Sequence, residues 1–319
     1  MIGNLQLLRA FAASGVVIWH SHASIFGIHT MFHGVALFFV LSGYLMCKIS
    51  NRSALEFARD RFWRIVPNYW LAMGLLLSLF NMWTYWPVDH AVLSAVFIPH
   101  ESTSGFYPVL GVGWTLNLEM YFYSVFALSI LIFQGRAPVI AGLVILGLSV
   151  GLPYVTENKA LLFYYSHDEV KYFVFGIVIW YLSEWISAKN LPVVLPRWTL
   201  PVALVAYVLL VLLGVSPIII VPALFLTAVF AAGFSADLKP RIVMILGDAS
   251  YACYLLHTIL IEFLRHKGLA TSGALLFTVG VLAGSWTIAI LWYIYVEKLI
   301  SNFRSQIVSY FPIAAQRAS

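Results

Sequence analysis

Arg9 and His20 stand eleven positions apart in one otherwise apolar stretch that runs from Leu5 to about Ser24. Eleven residues at 3.6 per turn make close to three full turns. Both side chains therefore leave the same face of a helix, roughly 16 Å apart along its axis. That rise is about half the thickness of a bilayer core. Burying a guanidinium and an imidazole on one helix face in lipid is costly, and ionisable groups kept in such a segment are functional candidates. The guanidinium is a fixed cation with forked donors, and the imidazole exchanges protons near neutral pH. Arg61 and Arg64, three apart and so on one helix face, close a run of five basic residues that begins with Lys48, Arg52 and Arg59. A cluster of guanidinium groups suits phosphate. Glu119 is a lone carboxylate within the apolar run 114–133. Each of these residues also has a plain structural alternative. Arg9 can snorkel to headgroups, Arg61 and Arg64 can simply set topology, and His20 and Glu119 can satisfy neighbouring helices.

The elements that position these groups follow from composition. The chain has 319 residues, 62% hydrophobic and only 10% charged, with a mean hydropathy of +0.91. Soluble domains carry about 25% charged residues, so an integral membrane protein is expected. Backbone groups in lipid must be satisfied within the chain, which leaves a helical bundle or a closed barrel. The apolar runs are continuous rather than alternating, and helices follow. The first run is too long for a signal peptide and lacks a small-residue cleavage site, so it reads as a retained helix.

The pattern predicts an all-α polytopic bundle of about ten transmembrane helices, near 5–24, 33–49, 67–83, 114–133, 138–155, 168–187, 199–214, 217–234, 248–264 and 273–297. With both termini in the cytoplasm, 14 of the 18 Lys and Arg fall inside, and only Lys159, Lys171, Arg265 and Lys267 fall outside. That asymmetry satisfies the positive-inside rule. Arg9 is then on the cytoplasmic half of the first helix and His20 toward the outer face. Ser53 and Glu56 have capping-box spacing, which predicts a short interfacial helix, with Pro67 opening the next span.

Other features are set aside. His20, His22, His29 and His33 gather near the outer face, yet no Cys or acidic ligand accompanies them, and no metal is expected. Asp168 and Glu169 at an outer helix end read as solvated or acceptor-binding. The Gly-Val-Gly at 111–113 precedes a membrane helix and is no nucleotide loop. Cys47 and Cys253 lie in apolar runs and read as free thiols.

Five blocks, in order, resemble the membrane acyltransferase-3 family. Gln6-Leu-Leu-Arg9 with His20 resembles its Arg/Lys-x10-His signature, and Gly34 to Gly43-Tyr44 its second-helix block. Arg61-Phe-Trp-Arg64-Ile-Val-Pro67-Asn-Tyr69-Trp70 is similar to its Arg-x-x-Arg block. Trp114-Thr-Leu-Asn-Leu-Glu119-Met-Tyr-Phe122-Tyr123 is similar to its Trp-Ser/Thr-Leu-x-x-Glu block. Gly247 to His257 matches a late block of Gly, Ser-Tyr, Tyr-Leu and His.

The resemblance implies a single integral-membrane acyltransferase domain over residues 1–319, close to the short exopolysaccharide O-acetyltransferases that lack a soluble hydrolase-like domain. It implies transfer of acetyl, or another acyl group, from cytoplasmic acetyl-coenzyme A to a hydroxyl of an extracytoplasmic or lipid-linked glycan. The expected location is the bacterial cytoplasmic membrane, with polysaccharide-assembly proteins as possible partners and no nucleic acid. Arg61 and Arg64, with Arg9, would hold the phosphates of the donor. His20 would serve either as general base or as acyl carrier, and Glu119 would orient the imidazole or bind the acceptor hydroxyl. His257 has no assigned role. A secondary transporter or flippase is the rival reading, and the absence of an internal repeat counts modestly against it.

Overall fold

The stretch that carries Arg9 and His20 folds into one helix, α1 (Gly3–His20), in a computed structural model that describes residues 2–21, 24–25, 28–29, 32–189, 194–234, 236–269 and 275–310. Its first turn is clamped. Asn4, fully buried, donates from Nδ2 to the Ala228 and Ala236 carbonyls at 3.1 Å each and accepts from the Leu238 N–H at 2.8 Å. Asp237 accepts from the Asn4 N–H at 2.9 Å, which puts a carboxylate at the positive end of the helix dipole. Burial works to raise the Asp237 carboxyl. Hydrogen bonds from Lys239 and from the Asn4 and Gly3 backbone outweigh it and hold the group below its ordinary range. The clamp's contribution is therefore complete at neutral pH and is lost only as acid protonates the carboxylate.

Helix α1 ends at His20, four residues before the expected boundary. Ser21 turns its hydroxyl back to the Ile18 carbonyl at 2.7 Å, and Ser24–Ile25 pairs antiparallel with Ile28–His29. His20 thus occupies the last position of the helix, where the unpaired carbonyls favour positive charge.

Every other predicted apolar segment coincides with a helix. These are α2 (Gly34–Lys48), α3 (Ala54–Leu79), α5 (Trp114–Phe133), α6 (Ala137–Gly151), α8 (Val170–Ser187), α9 (Thr199–Leu212), α10 (Pro217–Gly233), α11 (Arg241–His266) and α12 (Leu275–Trp292). The short helices α4 (Val88–Ala95) and α7 (Lys159–Tyr165) lie in connections, and α13 (Lys298–Tyr310) follows α12 through a π-helical turn, Tyr293–Glu297. Four helical stretches are long and apolar enough to cross a membrane: Gly111–Tyr154, Lys159–Ser187, Arg241–His266 and Leu275–Ile307. Helices α2, α9 and α10 are shorter apolar helices. The protein is all-helical apart from the two-residue strand pair and one isolated bridge, among the described residues.

The capping box forms as expected. The Ser53 hydroxyl accepts from the Glu56 N–H at 3.3 Å, and the Glu56 carboxylate accepts from the Ser53 N–H at 3.2 Å. The helix it starts does not stop before Pro67 but runs through it to Leu79. Proline removes one donor without ending a helix whose neighbours hold it, which is common in membrane helices. One rigid element therefore carries both Arg61 and Arg64 and the apolar segment behind them.

Close helix contacts fix the frame. Helix α2 lies against α8 at a crossing where a Cβ on Gly43 would sit 2.0 Å from the Phe173 carbonyl oxygen, and one on Gly176 would sit 2.1 Å from that of Val40. Small residues at such crossings let helix backbones meet. Gly176→Leu is expected to leave little monodisperse protein on size-exclusion chromatography in detergent. Gly74→Leu, at a position where an added Cβ meets no other atom within 4 Å, is expected to behave as the parent. Phe173 continues the seam, stacked at 4.2 Å on Phe122 and 4.3 Å on Phe39.

Helices α1 and α11 run side by side in the same direction, with Gln6 packed on Gly247 at one end and His20 on His257 at the other. Helix α12 runs the opposite way. It sets Thr278 near Ser21, Trp286 on Ser14 at 3.1 Å, and the π-turn's Tyr293 on Asp248. Three helices thus share two common ends, one carrying Arg9 and the other the histidines.

Candidate active site

At the Arg9 end a cavity of about 330 Å³ opens between α1, α2, α3, α5 and α11. Arg9, Arg61 and Arg64 line it with Glu119 and Asp248, and Val35, Phe38, Leu41 and Tyr254 supply much of its apolar wall. Four of the five residues singled out from sequence, on three separate helices, are brought together here. Arg9 turns into the protein rather than outward, donating to Gln6 Oε1 at 3.0 Å. Gln6 Nε2 donates in turn to Asp248 Oδ1 at 2.6 Å, and Tyr293 donates to Asp248 Oδ2 at 3.3 Å. Arg64 pairs with Glu297 at 3.2 Å and lies over the Tyr251 ring at 5.6 Å. Arg61 lies over the Tyr123 ring at 5.8 Å. Stacked guanidinium groups keep their N–H edges available to an anion.

Glu119 accepts from the Ser42 hydroxyl at 2.9 Å and from the Tyr123 hydroxyl. These bonds anchor the carboxylate within the cavity. The cavity wall carries three cations and two carboxylates, a cationic excess.

A second cavity, about 460 Å³, adjoins the first and shares Arg61 and Arg64 with it. Its wall adds Trp63, Asn68, Glu297, Lys298 and Arg304. Asp60 also lines it and, nearly buried, binds Arg52 and Arg304 and has Arg59 at 4.0 Å. Removing this carboxylate strands several cations, whereas removing one half-exposed arginine does not. Asp60→Asn is expected to lower the thermal midpoint of the solubilised protein by the equivalent of about 1–3 kcal/mol. Arg52→Gln is expected to lower it far less.

His20 sits at the far end of α1 from this basic chamber and is not among the residues lining the cavity. Its Nδ1 lies 3.0 Å from the Val16 carbonyl oxygen and 3.2 Å from Nε2 of His257. The two rings are 4.9 Å apart. His257 is fully buried, and its own Nδ1 lies 3.2 Å from the Cys253 carbonyl oxygen. Tyr254, one turn earlier on α11, joins the two regions. Its ring is 6.0 Å from that of His257, and it lines the cavity. Its hydroxyl donates to the Val112 carbonyl at 3.0 Å.

Asp248, Glu297, Ser42 and Tyr251 were not singled out from sequence. Asp248 was legible in principle, as an acid inside the late motif block. Of the outer histidines, His22 lies outside the described residues, His29 is described in its backbone alone, and His33 precedes α2 with a left-handed φ of 45°. Among the described residues, no three His, Cys, Asp or Glu side chains are grouped as metal ligands would be. Cys47 and Cys253 are free and buried. Asp168 is exposed and paired with Lys171 at the start of α8.

Comparison with known proteins agrees with the five blocks. The acyltransferase-3 family model, described as an acyltransferase domain, matches residues 2–296. The exopolysaccharide production protein ExoZ of Rhizobium meliloti is 34% identical over 255 residues, covering 74% of this chain and 78% of its own. The O-acetyltransferase OatA of Staphylococcus aureus is 24% identical over 310 residues, covering 82% of this chain, which spans only about half (51%) of that protein. Nodulation protein 10 of Rhizobium leguminosarum is 31% identical over 154 residues, 38% of this chain. No solved structure matches the chain. With a match over nearly its whole length, three arginines converging on one chamber and an imidazole at the far end of the same helix, the chain belongs to the acyltransferase-3 family of membrane acyltransferases.

Proposed function

We propose that this protein is an O-acetyltransferase that moves acetyl from cytoplasmic acetyl-coenzyme A to a hydroxyl of an extracytoplasmic or lipid-linked glycan such as an exopolysaccharide. It does so as a multi-pass protein of the bacterial cytoplasmic membrane, with about ten spans and both termini inside. The orientation is supported by the basic residues, 14 of 18 of which then face the cytoplasm. The glycan acceptor is supported by the likeness to ExoZ and OatA.

One observation carries the reading. Arg9, Arg61 and Arg64 surround a single chamber, and His20 stands about 16 Å further along the helix that carries Arg9. A donor with several phosphates at one end and a thioester at the end of a long thin arm matches that separation. The arginines hold the phosphates, and the apolar wall of Val35, Phe38 and Leu41 accepts the arm. Nε2 of His20 takes the proton of the acceptor hydroxyl as its oxygen bonds to the thioester carbonyl carbon. The carbon–sulfur bond breaks, and the thiolate recovers the proton from the imidazolium. Glu119, held by Ser42 and Tyr123, is an acceptor for N–H or O–H groups that enter the chamber.

Vesicles of defined sidedness test the reading. Labelled acetyl-coenzyme A outside inside-out vesicles is expected to label lipid-linked glycan, and the same donor outside right-side-out vesicles is not. No release of coenzyme A and no labelling in either orientation would refute it.

A further inference from the structure

Each imidazole of the His20–His257 pair points its Nδ1 at a main-chain carbonyl one turn earlier on its own helix, at 3.0 Å for Val16 and 3.2 Å for Cys253. A carbonyl oxygen only accepts, so both Nδ1 atoms carry hydrogen in the neutral rings. Nε2 of His257 then holds a lone pair, and the single Nδ1–H of His20 is shared between it, at 3.2 Å, and the Val16 carbonyl, at 3.0 Å. The Cys253 carbonyl, His257 and the Val16 carbonyl together leave the lone pair of His20 on Nε2.

We infer that His257 is a positioning residue for the transfer reaction: its Nε2 shares the His20 Nδ1–H with the Val16 carbonyl, holding the ring and its tautomer and stabilising the imidazolium formed when Nε2 of His20 takes the acceptor's proton. The inference rests on the reading of His20 as the general base. Elsewhere a carboxylate commonly plays this part for a working histidine. Here the partner is fully buried, and a neutral acceptor avoids placing an uncompensated charge there. The close seating of α11 on α1, with Gly247 giving room for Gln6, sets the register that brings the rings together.

The test compares substitutions that move or delete the acceptor atom. Glutamine at 257 can present its Oε1 where Nε2 stood, asparagine presents its oxygen near the Nδ1 position, and leucine presents none. His257→Leu is expected to lower kcat roughly 10- to 100-fold, the range found when the outer partner of a functional imidazole is lost. KM for acetyl-coenzyme A should stay within about twofold, because the donor's phosphates bind elsewhere. His257→Gln is expected to recover most of kcat and His257→Asn little of it. Equal kcat in the Gln and Asn variants, or undiminished kcat in the Leu variant, overturns the inference. If the Leu variant does not fold, the Gln and Asn pair decides alone. Imidazole ¹⁵N spectra give a readout free of activity, in which His20 as the Nε2–H tautomer in wild type also overturns it. Loss of wild-type turnover altogether would instead refute the acyltransferase reading, so the two failures are distinguishable.

Discussion

Replacing His20 by alanine is expected to cut acetyl transfer by roughly 10²–10⁴-fold, the contribution of a positioned general base, while acetyl-coenzyme A binding stays within about twofold. The separation follows from distance. The guanidinium groups proposed to hold the donor line a chamber from which His20 is absent, and Arg9 is about 16 Å away along α1. His20 closes its helix and bonds to Val16 and His257, so its loss is not expected to unfold α1, whose far end is clamped by Asn4 and Asp237. Transfer rates on reconstituted protein, with binding measured on the same preparation, check this. Undiminished transfer would remove His20 from the mechanism. Acetylated protein that accumulates on donor alone and is chased by acceptor would assign His20 as acyl carrier instead of base.

The second large effect concerns the donor end. Arg61→Ala together with Arg64→Ala is expected to weaken acetyl-coenzyme A binding by at least about 100-fold. Each guanidinium–phosphate contact is a charge-assisted bond worth about 1.5–3 kcal/mol, or roughly tenfold to a hundredfold. The effect should fall on binding and KM more than on kcat. Arg64 needs a control, because alanine there leaves Glu297, 10% exposed, without its cation. Arg64→Ala with Glu297→Gln removes that stranded charge. If the double variant binds donor as weakly as Arg64→Ala, the loss belongs to the phosphate contact. If binding returns to the wild-type level, Arg64 neutralises Glu297 and does not hold the donor.

Residue spacing conveyed much of this site because helical periodicity says which side chains share a face. Arg9 and His20, and Arg61 and Arg64, were legible in that way, and so was the capping box at Ser53 and Glu56. Periodicity does not say what a face meets. The contact between His20 and His257 joins residues 237 apart, and that between Arg64 and Glu297 joins residues 233 apart, through helix registers that no local pattern encodes. Glu119 illustrates the same limit. The resemblance offered it as a group to orient the His20 imidazole or bind the acceptor hydroxyl, and its carboxylate is bound by Ser42 and Tyr123 in the chamber with the arginines. Boundaries moved where side chains overrode hydropathy. Ser21 ends α1 early, and the helix packing around Pro67 carries α3 through a residue that reads as a helix start. The π-turn that aims Tyr293 and Glu297 inward has no sequence signal at all, although such turns often mark functional sites.

The central claim is a division of labour along α1, with donor phosphates held at the arginine end and chemistry done at the histidine end. Binding and single-turnover release of coenzyme A from labelled acetyl-coenzyme A tests it most directly, in detergent-purified wild type, His20→Ala, and the Arg61→Ala, Arg64→Ala double variant. Wild type should bind and slowly release coenzyme A as water takes the acetyl group in place of the acceptor hydroxyl. His20→Ala should bind without release, and the double variant should scarcely bind. Release by His20→Ala at the wild-type rate, or full binding by the double variant, would contradict that division, and failure of wild type to bind the donor would end the acetyl-coenzyme A reading.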